Sequence, residues 1–90
     1  MTLQIERSSQ FKKDYKRLKR QGADIDKLLD VLNRLIAEES LDRRYLDHEL
    51  KGNWRGYREC HIEPDWLLIY TVDGETLRLA RTGSHSDLFG

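Results

Sequence analysis

Apolar positions along this chain change their spacing twice, and each change marks a different kind of element. Residues 2–7 alternate, with Leu3 and Ile5 on one side, as a short strand does. Ser8 or Ser9 then offers a hydroxyl to cap a helix. Phe11, Tyr15 and Leu18 recur at i, i+4 and i+7 and so share one helical face, while Gly22 supplies a stop; together they predict a helix over 9–20. Asp24 is the expected cap of a second helix, in which Ile25, Leu28, Leu29, Leu32, Leu35 and Ile36 form one apolar stripe. So short a connection predicts that the two helices form an antiparallel pair.

After Ser40 the period shortens. Residues 41–51 are charged and irregular, 52–62 read as a strand with aromatic content, and Glu63-Pro64-Asp65 reads as a turn. A β-rich run over 66–72, a turn at Asp73-Gly74 and a last strand over 76–82 follow. Gly83 breaks that strand, and Ser84 is placed to cap a terminal helical turn reaching Phe89. The order predicts an α+β fold: an N-terminal strand, an antiparallel helix pair, then a three-stranded antiparallel meander, with the strands in one mainly antiparallel sheet and a short C-terminal helical turn. Helices on one face leave the other free to hold a site. If Asp73 and Gly74 are the two central residues of a type I′ hairpin, Val72 pairs with Glu75, Tyr70 with Leu77, Leu68 with Leu79 and Trp66 with Arg81. Opposed residues share a face, so this register makes Trp66 and Arg81 neighbours. A proline turn does not fix the register of His61 in the same way.

Composition narrows the function classes. A length of 90 residues predicts a single domain, 1–90, with one core. The one cysteine, Cys60, has no partner for an internal disulfide and reads as a small buried hydrophobe. Neither paired-cysteine nor HExxH spacing is present, so no metal and no cofactor are expected, and a reducing cytoplasm is the expected location. The longest apolar run, Trp66 to Tyr70, is far short of the ~20 residues that span a bilayer. Glu6 and Arg7 stand where a signal peptide needs its apolar stretch, so neither membrane insertion nor secretion is expected. Sixteen Lys and Arg balance sixteen Asp and Glu, which argues against binding free nucleic acid by bulk charge. The zero is nevertheless uneven: Lys12, Lys13, Lys16, Arg17, Lys19 and Arg20 crowd the first helix around a single acid, Asp14. Such a stretch reads either as a phosphate-contact surface or as an ordinary solvated helix face, and charge alone favours the second.

All three histidines, His48, His61 and His85, lie in the second half with Asp65, Arg81, Trp54, Trp66 and Phe89. Imidazoles exchange protons near neutral pH, a guanidinium stabilises a phosphate gaining charge, and exposed aromatics stack on unpaired bases. These needs coincide in metal-free RNA cleavage, where a base takes the 2′-OH proton, the oxygen attacks phosphorus and an acid protonates the departing 5′ oxygen. Each residue also has a plainer reading: surface histidines, Trp66 in the core, Arg81 paired with Glu59 or Asp65, Phe89 as a tail anchor. A metal site built from the histidines and Asp65 is conceivable without any supporting spacing.

Three stretches sharpen the choice. Asp47-His48-Glu49-Leu50-Lys51-Gly52-Asn53-Trp54-Arg55-Gly56-Tyr57-Arg58, then His61-Ile62-Glu63-Pro64-Asp65-Trp66-Leu67-Leu68-Ile69-Tyr70, then Arg81-Thr82-Gly83-Ser84-His85 with Leu88-Phe89 closely resemble the YafQ branch of the RelE toxin superfamily. The likeness is specific from Asp47 to Gly90; before that only the strand-helix-helix plan matches. It implies a type II toxin that cleaves mRNA in the ribosomal A site, needs no cofactor, and is inhibited by a DinJ-like antitoxin in a toxin–antitoxin hetero-oligomer. The functional positions it implies are His48, His61, Asp65, Trp66, Arg81, His85 and Phe89. His85 and one of His48, His61 or Asp65 then share general acid and base duties, and Arg81 steadies the phosphorane-like charge. Trp66 and Phe89 position bases, and Lys12, Lys13 and Lys16 contact ribosomal RNA. A neutral toxin of this kind is expected to cut free RNA poorly and to rely on the ribosome for its substrate. The rival expectations are a non-catalytic module that occupies ribosomes or an antitoxin, and a metal hydrolase.

Overall fold

A computed structural model describes residues 2–90. It contains β1 (Gln4–Arg7), α1 (Ser9–Arg20), α2 (Ile25–Ile36), β2 (His48–Glu49), β3 (Arg58–Glu63), β4 (Trp66–Asp73), β5 (Thr76–Gly83) and α3 (His85–Phe89), with 3-10 turns at Arg43–Tyr45 and Gly52–Trp54. The five strands form one sheet in the order β1-β5-β4-β3-β2. β1 runs parallel to β5 and every other pairing is antiparallel, so the fold is α+β with a mostly antiparallel sheet.

Helix α1 begins where its capping residue predicts: the Ser8 hydroxyl accepts from the Phe11 amide at 2.9 Å. Gly22, at φ +79°, takes the left-handed position that ends it. Asp24 precedes α2, but its side chain makes no capping hydrogen bond, contrary to expectation. The buried stripe of α2 is Leu28, Val31, Leu32 and Leu35, an i, i+3, i+4, i+7 set. Leu29, expected inside, is 43% exposed because it follows Leu28 by about 100° around the helix and Val31 takes the inward place.

These helices bury Phe11, Leu18, Leu28, Val31, Leu32 and Leu35 against Cys60, Ile62, Trp66, Leu68, Tyr70, Leu77 and Leu79 of the sheet. The opposite face carries a smaller cluster of Leu67, Ile69 and Leu88, with Leu50, Trp54, Tyr57 and Ala80 packed against it. Residues 52–57, expected in a strand, instead form a 3-10 turn and a bend covering that cluster; Gly52 and Gly56, both at positive φ, suit a turn and not a strand.

The β4–β5 register differs from the expected one. Asp73 pairs with Thr76 and Val72 with Leu77, so the two-residue loop is Gly74-Glu75. Of these two only Gly74 has positive φ, the pattern of a type II′ turn, which spares Asp73 the positive φ that a type I′ turn would impose. A bulge between Ile69 and Tyr70 then shifts the pairing again, setting Ile69 opposite Arg81 and Leu68 opposite Thr82. Trp66 and Arg81 are therefore not paired.

Candidate active site

Strand pairing arranges the candidate residues in rows. One row across the sheet reads His48, Glu59, Ile69 and Arg81, in β2, β3, β4 and β5; the next reads His61, Leu67 and Gly83. Directly opposed residues share a face, and Ile69 and Leu67 belong to the smaller cluster, so His48, Glu59 and His61 lie on the sheet face away from α1 and α2, while the Arg81 side chain turns back to α1. Helix α3 completes it. Ser84 and Asp87 form a reciprocal capping box at its start, and Leu88 packs on Leu67 and Ile69. That fixes His85 in the first turn over the sheet and leaves Phe89 49% exposed at the end.

The three imidazoles stand in sequence. Ring centres of His48 and His61 are 6.4 Å apart, and those of His61 and His85 are 5.7 Å apart, both edge to face. Each ring has one nitrogen assigned by its neighbour. His85 Nδ1 donates to Asp65 Oδ1 at 2.7 Å, and the His85 amide donates to the same oxygen at 2.9 Å. Those two bonds, the backbone one first, hold the Asp65 carboxyl below the usual carboxylate range. His61 Nε2 donates to Glu59 Oε1 at 3.1 Å. His48 Nδ1 lies 2.7 Å from the Leu46 carbonyl, which can only accept, so His48 Nε2 turns toward Glu59 at 3.8 Å. The Nε2 of His85 and the Nδ1 of His61 are left for chemistry. The loop carrying His48 is itself held by Asp47, which accepts from Arg58 Nε at 3.1 Å and from the Tyr70 hydroxyl at 2.8 Å.

Glu59 was not among the expected site residues, although the β3 alternation puts it two positions before His61 and on the same face. Its side chain is only 7% exposed, and the histidines are the groups that face it. Trp66 departs from expectation in the other direction. It is 5% exposed, lies in the main core, and its indole N–H donates to Thr82 Oγ1 at 2.9 Å, so no ring face is offered to a base.

Arg81 pairs with neither Glu59 nor Asp65. Its Nε and Nη2 donate to Asp14 of α1 at 2.9 and 3.1 Å. Lys12, Lys13 and Lys16 are exposed on α1, and Lys13 and Lys16 line a shallow basic depression with Lys19 and Arg20. Arg17 is turned inward, pairing with Asp14 at 2.9 Å and Asp87 at 3.4 Å, so the basic face is one residue smaller than the sequence suggests. A cleft of about 790 Å³ opens beside His61, walled by Lys27 and Asp30 of α2, Arg44 to Leu46, and Glu63 and Pro64. Among the described residues, no group of three or more His, Cys, Asp or Glu side chains is arranged to hold a metal ion, and no helix is long and apolar enough to cross a membrane.

Comparisons with known proteins agree with this architecture. The family model of the bacterial type II toxin–antitoxin toxin YafQ matches residues 3–90. The mRNA interferase toxin YafQ of Escherichia coli K12 is 45% identical over 87 residues, which cover 96% of this chain and 95% of that protein. A crystal structure of the E. coli DinJ-YafQ toxin-antitoxin complex superposes with a TM-score of 0.92 at 43% identity, covering all of both chains. A metal-bound toxin from Helicobacter pylori gives a TM-score of 0.91 at 46% identity over 97% of this chain and 99% of that one.

Proposed function

This chain belongs to the YafQ family of bacterial type II toxin–antitoxin toxins, and from that premise we propose that it is an mRNA interferase, an endoribonuclease that cuts mRNA presented by the ribosome and is silenced by a DinJ-like antitoxin. The observation that carries the reading is the edge-to-face pair of His61 and His85, each tied to a carboxylate through one ring nitrogen and open at the other. Two imidazoles so placed can serve opposite sides of one phosphodiester. One takes the ribose 2′-OH proton as that oxygen attacks phosphorus; the other donates a proton to the departing 5′ oxygen. Such proton transfers are worth ~10²- to 10⁴-fold in rate.

Asp65 and Glu59 act in this scheme as orienting groups. A carboxylate accepting from one ring nitrogen fixes the tautomer and steadies the imidazolium as it forms. Arg81 faces the charge that develops on the phosphoryl oxygens, and Phe89 supplies the exposed ring for a base. Trp66 supports the site from the core.

The balanced charge favours a ribosome-presented substrate. A domain of zero net charge gathers few free RNA phosphates, while the exposed Lys12, Lys13 and Lys16 give it one basic face to set against ribosomal RNA. Ribosomes place this activity in the cytoplasm. An antitoxin segment that folds as it binds would cover the basic or histidine-bearing surface.

The test is single-turnover cleavage of mRNA on programmed ribosomes by wild type and His85→Ala, with and without a chelator selective for transition metals, at a constant free Mg²⁺ that keeps the ribosomes intact. Wild type should cut in either condition and His85→Ala should lose at least ~10²-fold. A folded His85→Ala at the wild-type rate would remove the proposed chemistry, loss of cutting in chelator would favour the metal hydrolase, and no new mRNA 5′ ends from wild type would favour a non-catalytic module.

A further inference from the structure

The acid in the middle of the basic helix is fully buried. Asp14 has no exposed surface, and its two oxygens accept from Arg81 Nε at 2.9 Å, Arg81 Nη2 at 3.1 Å, Arg17 Nη1 at 2.9 Å, the Thr82 amide at 3.2 Å and Gln10 Nε2 at 3.3 Å. A carboxylate removed from water must be compensated this densely. Burial pushes its pKa up, but the bonds from Arg81, Arg17, Thr82 and Gln10 outweigh that and hold it below the usual range.

The local topology explains why an acid sits there. Strand β1 covers β5 only from Thr76 to Leu79; beyond that point no strand pairs with this edge of β5, and the Ser8 hydroxyl donates to the Ala80 carbonyl at 2.6 Å. Helix α1 takes over: Asp14 accepts from the Thr82 amide, and Arg17 Nη2 donates to the Thr82 carbonyl at 3.4 Å. The same carboxylate also spans the Nε–Nη2 edge of Arg81 in a bidentate grip, which fixes the plane of the guanidinium. Nη1 of Arg81 makes no hydrogen bond among the described residues, and the side chain is about one-fifth exposed. Arg17 is the less settled partner, since its Nε is buried without one.

We propose that Asp14 is a positioning residue for RNA cleavage: it locks Arg81 by one edge so that the opposite edge is presented to the scissile phosphate, in the row that also carries Glu59 and His48. The proposal rests on the cleavage reading above. It assigns Asp14 no contact with substrate; its effect passes through Arg81.

A double-mutant cycle tests it. Asp14→Asn, Arg81→Ala and the pair are assayed by single-turnover cleavage on programmed ribosomes, with ribosome affinity measured separately and His85→Ala as reference. Arg81→Ala should slow the chemical step by roughly 10²- to 10³-fold, and Asp14→Asn by up to about 10²-fold, both with ribosome affinity unchanged. In the Arg81→Ala background, Asp14→Asn should cost almost nothing further. Fully multiplicative effects, or a wild-type rate for folded Asp14→Asn, would overturn the proposal. So would a wild-type rate for Arg81→Ala, and if His85→Ala is inactive in the same assay the cleavage reading survives that failure. If Asp14→Asn does not fold, nitrogen NMR of the wild-type guanidinium groups decides. Arg81 should show a slowly exchanging Nε–H and hindered rotation that exposed arginines lack; an Arg81 signal averaged like theirs would overturn the proposal.

Discussion

Replacing Trp66 separates a core role from an RNA-contact role by size and by kind of effect. Its ring is 5% exposed, and its N–H bonds the fully buried Thr82 hydroxyl, which in turn donates to the Leu67 carbonyl at 2.8 Å. Trp66→Phe removes that bond and leaves a partial cavity, together about 1–2 kcal/mol. For a domain of this length each kcal/mol lowers Tm by about 4–8 °C, so a drop of about 4–16 °C is expected. Trp66→Ala should cost about 3–5 kcal/mol, a large part of the stability of a small domain. Thermal unfolding by circular dichroism reads the first effect, and single-turnover cleavage below the transition reads the second. The rate per folded molecule of Trp66→Phe should match wild type. A Tm within about 1 °C of wild type together with a tenfold slower rate would refute the core assignment and return Trp66 to the RNA-contact surface.

Four further outcomes follow from the same geometry. Glu59→Gln keeps the shape but removes the charge beside His61 and His48, and should slow single-turnover cleavage by about 10- to 10²-fold, the equivalent of a charge-assisted hydrogen bond; an unchanged rate contradicts the orienting role. Gly83 sits at φ +154° with a Cβ position 2.8 Å from Arg17 Nη2 and 3.0 Å from Asp87 Oδ2, so Gly83→Ala should destabilise by about 1–3 kcal/mol in urea unfolding, and an unmoved midpoint contradicts it. Because the folded-state pKa of Asp14 is depressed, its ionised form adds stability that is fully present above about pH 4 and is lost as pH falls through the lowered value. Unfolding measured from pH 7 to pH 2 should therefore show a smaller acid loss for Asp14→Asn than for wild type, and parallel curves would exclude that linkage. Charge reversal at Lys12, Lys13 and Lys16 should weaken ribosome binding with a shallower salt dependence, and unchanged affinity at low salt would remove the basic face from the account.

Periodicity located the helices well because it reports burial directly. Phe11 and Leu18 fix the inner face of α1, and the Ser84 cap fixes α3. Asp14 was legible by the same rule, since it lies three residues after Phe11 and four before Leu18 on that inner face, but charge counting assigned it to solvent. The hairpin was harder. Asp-Gly marks a turn, yet whether glycine takes the first or second loop position shifts every pair, and the bulge at Ile69 shifts them once more. Local preference cannot weigh those alternatives against the packing of Leu77 and Leu79. The expected Trp66–Arg81 neighbourhood failed for that reason, and Arg81 found its partner 67 residues away on α1. His61, His85 and Asp65 were legible as chemistry, whereas their mutual placement depends on the bulge between His61 and Glu63 and on the cap of α3.

The central claim is that paired imidazoles drive attack by the substrate's own 2′-OH, and the ends of the cut RNA test it most directly. Sequencing and enzymatic probing of mRNA cut on programmed ribosomes should find 5′-hydroxyl ends downstream and 2′,3′-cyclic phosphate or its hydrolysis product upstream. Downstream fragments carrying 5′-phosphate, with 3′-hydroxyl upstream, would mean that water attacks the phosphorus and would contradict the account.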